Sequence, residues 1–99
     1  MFRLMISGEL DEDTSDGLAA LIVNAVEQPD VSEVVVDLQR VTFLAAAGVR
    51  ALLRGRAAAA KMGRGMRVVN ATGIVYQVLR ISEVDKTLAV TADSNTLTP

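Results

Sequence analysis

The sequence predicts one α/β domain, in which a small mixed or mainly parallel sheet carries helices packed on it. The first observation is that short strand-like segments alternate with amphipathic helical segments along the chain. The second is that only a few residues connect each segment to the next. The third is size, because 99 residues, of which 51% are hydrophobic, are enough for one core and not for two.

The composition excludes several functional classes. The chain contains no cysteine and no histidine, so it lacks disulfides, thiolate ligands and the commonest general base. No apolar run reaches the roughly 18 residues that span a bilayer, and no secretory signal is visible. We therefore expect a cytoplasmic protein that is not inserted in a membrane, needs no cofactor or metal, and is not an enzyme.

Two periodicities predict the first strand and the first helix. In Phe2–Ser7, the apolar residues Phe2, Leu4 and Ile6 alternate with Arg3, Met5 and Ser7, which fits a strand with one inward face. Gly8–Asp11 is expected to end this strand. Gln28–Asp30 contains a proline and ends the helix that follows. The predicted buried face of that helix consists of Leu18, Leu21, Ile22, Ala25 and Val26.

Four acidic residues surround the start of this helix, namely Asp11, Glu12, Asp13 and Asp16. Such a cluster could hold a hard cation. Acids at a helix N-terminus also stabilise the helix dipole without any metal, and we favour this interpretation.

The centre of the chain is a strand that leads into a helix through small residues. Val34–Val36 is a β-branched run typical of a buried strand, and a short link joins it to a second apolar segment, Val41–Leu44. Ala45–Ala47 and Gly48 then form a tight turn. Helix N-termini present free N–H groups, so such turns often carry an acceptor or a ligand. This turn contains no hydroxyl, thiol or carboxylate.

The second helix is expected from about Ala47 to Met62, with Gly63 just beyond its C-terminus. Its predicted inward residues are Val49, Leu52, Leu53, Ala57 and Ala60.

The rest of the chain supplies one more helix and two short strands. Met66–Val69 is predicted as a strand, Gly73 to about Ile81 as a helix capped by Thr72, and Thr87–Thr91 as a last strand. We therefore assign residues 1–99 to one domain, with a polar, frayed tail from about 92 to 99.

Acidic side chains concentrate in residues 1–37 and basic ones in residues 38–80. This division fits an acidic or nucleic-acid partner, or opposite charges that meet on the folded surface, which we favour. Arg50, Arg54 and Lys61 form a stripe on the second helix, but no aromatic residue is interleaved for base stacking. We expect no direct contact with nucleic acid.

Several segments carry a resemblance to a known family. ISGELD, VVVDLQRVTFL, AAAGVRALL, MRVVNA and VYQVLRISEVDK together resemble a STAS domain, the fold of bacterial anti-sigma factor antagonists and of the cytoplasmic domains of sulfate transporters. The resemblance spans Leu4 to Val90, and Asp37 to Leu53 is its most specific part. It implies a single-domain STAS-like fold and a role in transcription regulation.

The resemblance also implies a partner and a binding site. Family members of the antagonist type bind an anti-sigma factor, a GHKL-type kinase, through the turn and the helix that follows. The kinase phosphorylates a serine in an Asp-Ser-Ser/Thr-Gly turn, and the phosphoprotein then dissociates. Carried over to this chain, the partner-binding residues are Leu44, Ala45, Ala46, Ala47, Gly48, Val49, Arg50 and Arg54.

The chain departs from the family at this turn. Ala45 stands at the position of the aspartate, Ala46 at that of the phospho-acceptor and Ala47 at that of the next hydroxyl residue, whereas Gly48 is kept. Alanine neither accepts a phosphate nor imitates its charge. Two hypotheses follow: a constitutive binder of an anti-sigma factor, or a repurposed STAS subunit of a transporter or signalling assembly.

A second departure concerns the first strand. Family members usually carry one more strand before the one at Phe2, so either the start of the chain is misassigned or the sheet lacks an N-terminal edge strand. The segment Phe2–Ser7 would then expose unpaired backbone groups along an edge. We expect self-association through this edge, or its burial by a partner.

Overall fold

The computed structural model describes residues 1–91. Three strands alternate with three helices, which confirms the α/β class. The strands are β1 (Phe2–Leu10), β2 (Glu33–Leu44) and β3 (Gly65–Val69). The helices are α1 (Ser15–Val26), α2 (Ala46–Lys61) and α3 (Gly73–Ile81).

The sheet is parallel throughout the described residues, in the order β1-β2-β3. The central strand β2 pairs with β3 only along its first part, Glu33 to Asp37, and with β1 along nearly its whole length. Consequently β1 forms one edge of this sheet. The β1 position agrees with the expected edge strand.

The two apolar segments around Asp37 belong to one strand. We predicted a link between Val34–Val36 and Val41–Leu44, but β2 runs through it without interruption. The register between β1 and β2 shifts twice, between Met5 and Ser7 and between Gly8 and Glu9. These irregularities absorb extra residues of β2, and β1 therefore continues to Leu10 where we expected it to end.

The predicted strand Thr87–Thr91 is wrong in extent. Residues 85–89 form turns, and Thr91 makes a single parallel bridge with Val69. Hydrogen bonds still join this segment to β3, from Val68 N to Leu88 O at 3.0 Å and from Thr91 N to Val68 O at 3.0 Å. The predicted tail, about 92 to 99, lies outside the described residues.

The core lies between the sheet and the helices. Leu18, Ile22, Ala25 and Val26 of α1 are buried as predicted, but Leu21 is 51% exposed. In α3, Val75 and Leu79 are buried and Val78 packs at the margin. The sheet contributes Ile6, Leu10, Val34, Val36, Leu38, Met66 and Val68 to the same cluster.

The buried face of α2 is made of smaller residues than we predicted. Val49 and Leu52 are buried, but Ala57 and Ala60 are exposed and Leu53 is half-buried. The remaining inward positions are Gly48, Ala51, Gly55 and Ala59. An ideal Cβ on Gly55 would clash with Ile22 Cγ2 and lie 2.9 Å from Ile22 Cβ, so only glycine lets α2 approach α1 this closely.

A buried carboxylate joins the three strands. Asp37 is 1% exposed and accepts hydrogen bonds from Arg3 Nη2 at 2.7 Å, Asn70 Nδ2 at 3.1 Å and Gln39 N at 2.9 Å. Arg3 belongs to β1, whereas Asn70 directly follows β3. Buried charges persist in proteins when they are paired and hydrogen-bonded in this way.

Opposite charges meet on the folded surface, as we favoured from the sequence. Arg50 pairs with Glu12, Arg54 with Asp16 and Arg67 with Glu33, so each pair joins a base of the second half to an acid of the first.

Within the described part of the chain, no helix is both long and apolar enough to cross a membrane.

We predict that Gly55→Ala lowers the free energy of unfolding by up to about 2 kcal/mol. Alanine gains about 1 kcal/mol of helix propensity, but overpacking against Ile22 costs about 1–3 kcal/mol. Urea unfolding followed by circular dichroism measures the difference. Gly17→Ala is the matched control, because a Cβ there has nothing within 4 Å, and it should be neutral or stabilising. Equal midpoints for the two variants would refute the close approach of α1 and α2.

Candidate functional site

The turn between β2 and α2 is the candidate site. Leu44 ends β2, Ala45 is the N-cap residue with φ −91° and ψ 171°, and Ala46 is the first residue of α2. The backbone N–H of Ala45 donates to Leu10 O at 2.8 Å, which ties the turn to the end of β1. Ala45 O then accepts from Val49 N at 3.1 Å and begins the helical hydrogen bonds.

Glycine at position 48 allows this arrangement. An ideal Cβ there would lie 2.7 Å from Leu44 Cδ1 and 2.8 Å from Leu10 O. The first turn of α2 therefore packs directly on the ends of β1 and β2. The strand ends fix the backbone of the turn on the side that faces the sheet, and the opposite side of the turn faces solvent.

The predicted partner-binding residues divide into two groups by burial. Leu44, Ala47, Gly48 and Val49 are buried, and Ala45 is half-buried. Ala46, Arg50 and Arg54 are exposed. Of the three alanines of the turn, only Ala46 is exposed, and its neighbours shape the backbone beneath it.

Phe43, the last residue but one of β2, is exposed near the turn in sequence and was missed by the sequence reasoning. Its side chain is 46% exposed, and the adjacent Thr42 is exposed as well. We had grouped Phe43 with the apolar segment that enters the core. The register shift between Gly8 and Glu9 explains the difference, because it breaks the alternation of β2 just before Phe43. The available signal for an exposed Phe43 was the position of this aromatic residue in the sequence, just before the turn Ala45–Ala47.

Arg50 and Arg54 lie beside the turn and face the start of α1. Arg50 Nη2 is 3.4 Å from Glu12 Oε1, and Arg54 Nη2 is 3.2 Å from Asp16 Oδ1. These four side chains border a groove of about 600 Å³, which Ser15, Ala47, Leu53 and Ala57 also line. Because all four charges are exposed, the pairs stabilise the fold little and remain available to a partner.

Three of the four acidic residues near the start of α1 make hydrogen bonds or ion pairs within the chain. Asp11 Oδ1 accepts from Asp13 N at 3.0 Å and from Thr14 N at 3.2 Å, which shapes the turn before α1. Glu12 and Asp16 pair with arginines instead. Within residues 1–91, no group of three acidic side chains comes together in a way that could hold a metal ion.

The turn and the start of α2 carry few reactive side chains. Between Val41 and Arg54, Thr42 carries the only hydroxyl, and no carboxylate or thiol is present. Thr42 belongs to β2 and not to the turn. The exposed elements are therefore a small apolar side chain, an aromatic ring, two guanidinium groups and the N–H groups of a helix N-terminus.

Comparisons with known proteins bear on this geometry. A family model described as "Mlab, STAS domain" matches residues 2–92. A search of curated proteins found no match.

Three solved structures share the fold. A sulfate transporter family protein from Wolinella succinogenes has a TM-score of 0.79 at 18% identity and covers 95% of this chain and 78% of that protein. The anti-sigma factor antagonist SpoIIAA in its unphosphorylated form has a TM-score of 0.76 at 19% identity, over 96% and 83% of the two chains. An anti-sigma-factor antagonist (STAS) domain protein from Planctomyces limnophilus has a TM-score of 0.74 at 18% identity, over 89% and 75%. At these identities the likeness shows the fold alone.

We predict that Ala45→Asp raises the free energy of unfolding by about 1 kcal/mol, since a side-chain oxygen at an N-cap accepts from the free N–H groups of the first turn. Ala45 already has the extended backbone that such a cap requires, and it makes no side-chain cap bond. Ala45→Asn is the control that adds the acceptor without the charge. The free energies of unfolding of the parent, Ala45→Asp and Ala45→Asn are measured by urea unfolding. If neither variant is more stable than the parent, this account of the turn is contradicted.

Proposed function

Because the chain belongs to the STAS domain family, we propose that it is a cytoplasmic, protein-binding regulatory domain that acts without catalysis and binds its partner through the surface around Ala46. The observation that supports this most is the exposure of Ala46, Arg50 and Phe43 around a helix N-terminus without any reactive side chain. A rigid backbone below the surface, set by Gly48, favours recognition by shape.

The partner that we propose first is an anti-sigma factor of the GHKL-type kinase class. Its support is the resemblance of the turn and helix to the antagonist type, together with the fold shared with SpoIIAA. Since Ala45–Ala47 offer no acceptor, a phosphate at this turn cannot release the partner. The chain would then act as a constitutive antagonist that remains permanently in the unmodified state.

The second candidate is a STAS subunit of a transporter or signalling assembly. The fold shared with a sulfate transporter family protein favours it. A turn that cannot be switched by phosphate also suits a subunit that stays bound. Both candidates use the same surface, and they differ in whether the partner is a kinase.

We predict that Ala46→Glu weakens the complex by about 1–3 kcal/mol, because a carboxylate would be buried against a partner surface shaped for a methyl group. The substitution should leave the fold intact, since an acid in the first turn of a helix is favourable. The partner is first captured from cell extract with the parent chain and then titrated calorimetrically against each variant.

Two controls frame this titration. Ala46→Ser changes the same position without adding charge and should bind as the parent does. Ala20→Glu adds the same charge at an exposed position of α1 and should also bind normally. If Ala46→Glu binds as tightly as both controls, the turn is not the interface and the proposed function fails.

We further predict that the captured partner, if it is a kinase, leaves the turn unmodified. After incubation with ATP, mass spectrometry should detect no phosphate between Thr42 and Gly48, because Thr42 is the only acceptor there and is fixed within β2. Ala46→Ser restores a hydroxyl at the family position and serves as the comparison. Stoichiometric phosphate on Thr42 of the parent would contradict the permanent unmodified state.

A further inference from the structure

A groove between α1 and α2 adjoins the proposed binding surface. Ala46, Arg50 and Arg54 follow one another at intervals of four residues, so they lie on one face of α2, and all three are exposed. The groove lies between this face and the start of α1, and its volume is about 600 Å³. A partner that covers Ala46 can therefore reach into it.

The two walls of the groove carry opposite charges. Glu12 and Asp16 line the α1 side, whereas Arg50 and Arg54 line the α2 side. Both walls keep the same order, with Glu12 beside Arg50 and Asp16 beside Arg54. The lining also includes three apolar residues, namely Ala47, Leu53 and Ala57. The groove thus combines an acidic side, a basic side and apolar surface between them.

The wall charges are available to an incoming partner. The side chains of Glu12 and Asp16 are 81% and 93% exposed, and those of Arg50 and Arg54 are 63% and 54% exposed. Each arginine contacts its acid through one nitrogen, Nη2, at 3.4 Å for Arg50 and 3.2 Å for Arg54. Pairs this exposed contribute little to stability, and a guanidinium has further N–H donors. A second charged group can therefore join either pair.

We propose that the groove binds an amphipathic helix of the partner, with acidic residues along the flank that faces α2 and basic residues along the flank that faces α1. This inference rests on the proposed function and gives the chemistry of its partner. Arg50 and Arg54 are one helical turn apart, as are residues i and i+4 of a helix that lies alongside them. The apolar stripe of that helix lies over Leu53 and Ala57.

Other occupants fit the groove less well. A strand points alternate side chains to opposite faces, so it does not present one charged flank to each wall. A small molecule would remain largely in water between walls that are more than half exposed, whereas small-molecule sites bury most of their ligand. Nucleic acid would be attracted by one wall and repelled by the other. A helix with flanks of opposite sign satisfies both walls.

Synthetic helical peptides are the probe, so the test does not require the captured partner. Each peptide has about 18 residues, or about five helical turns, and one leucine stripe. The flanks of the stripe are Glu on one side and Lys on the other in the two-sign peptide, and all Glu or all Lys in the two one-sign peptides. Chemical-shift titration of the isotope-labelled full chain measures the three dissociation constants. We expect the two-sign peptide to bind about tenfold more tightly, because it alone avoids repulsion at one wall.

A groove with two basic walls should reverse this preference. Glu12→Lys combined with Asp16→Lys produces it at two exposed positions, and the all-Glu peptide should then bind most tightly. Asp13→Lys combined with Glu27→Lys is the matched control, because it makes the same change in net charge at exposed positions outside the groove lining. The control should keep the preference for the two-sign peptide.

Three results would overturn the inference: a two-sign peptide that does not bind the parent chain below about 1 mM, a one-sign peptide that binds as tightly, or shifts confined to residues outside the groove. The captured partner separates this inference from the proposed function. If Ala46→Glu weakens that complex but Glu12→Lys with Asp16→Lys does not, the groove is excluded and the turn remains the interface. If the peptides bind as expected but Ala46→Glu has no effect, the proposed function fails and the groove remains a binding site.

Discussion

The close approach of α2 to the rest of the molecule is the constraint on which the structure depends. Gly48 places the first turn of the helix against Leu10 O and Leu44, and Gly55 places its middle against Ile22. Larger residues at either point would push the helix outward and separate the turn from the sheet. Ala45 N also donates a hydrogen bond to Leu10 O, which fixes the backbone of the turn against the sheet. The fixed backbone in turn sets the exposed surface around Ala46.

Much of this fold could be predicted from the sequence, since periodicity and turn residues are local signals. The order of the first six elements was predicted correctly, and the bounds of α2 and α3 were within one residue. Gly63 does adopt positive φ beyond α2. The errors arose where tertiary packing decides. Leu21 follows the helical period yet is 51% exposed. α2 turns Gly48 and Gly55 inward because a larger residue would meet Leu10 and Leu44 at the first position and Ile22 at the second.

In the candidate site, too, local sequence signals predicted some features and tertiary packing decided the others. The resemblance placed the turn correctly between a strand and a helix, but it could not tell which of its residues face solvent. Exposure of Phe43 depends on a register shift between β1 and β2, which leaves no mark in the sequence of either strand. The pairing of Arg50 and Arg54 with acids of α1 likewise requires two distant segments to be adjacent.

Hydrogen–deuterium exchange of the chain alone and in complex with its captured partner tests the central claim, that the N-terminus of α2 is the interface. The first N–H groups of a helix have no intrahelical acceptor and exchange rapidly when exposed. The account predicts that the amides of Ala46–Gly48 become slow to exchange in the complex. If these amides exchange equally fast with and without the partner while protection appears elsewhere, the turn is not the binding surface.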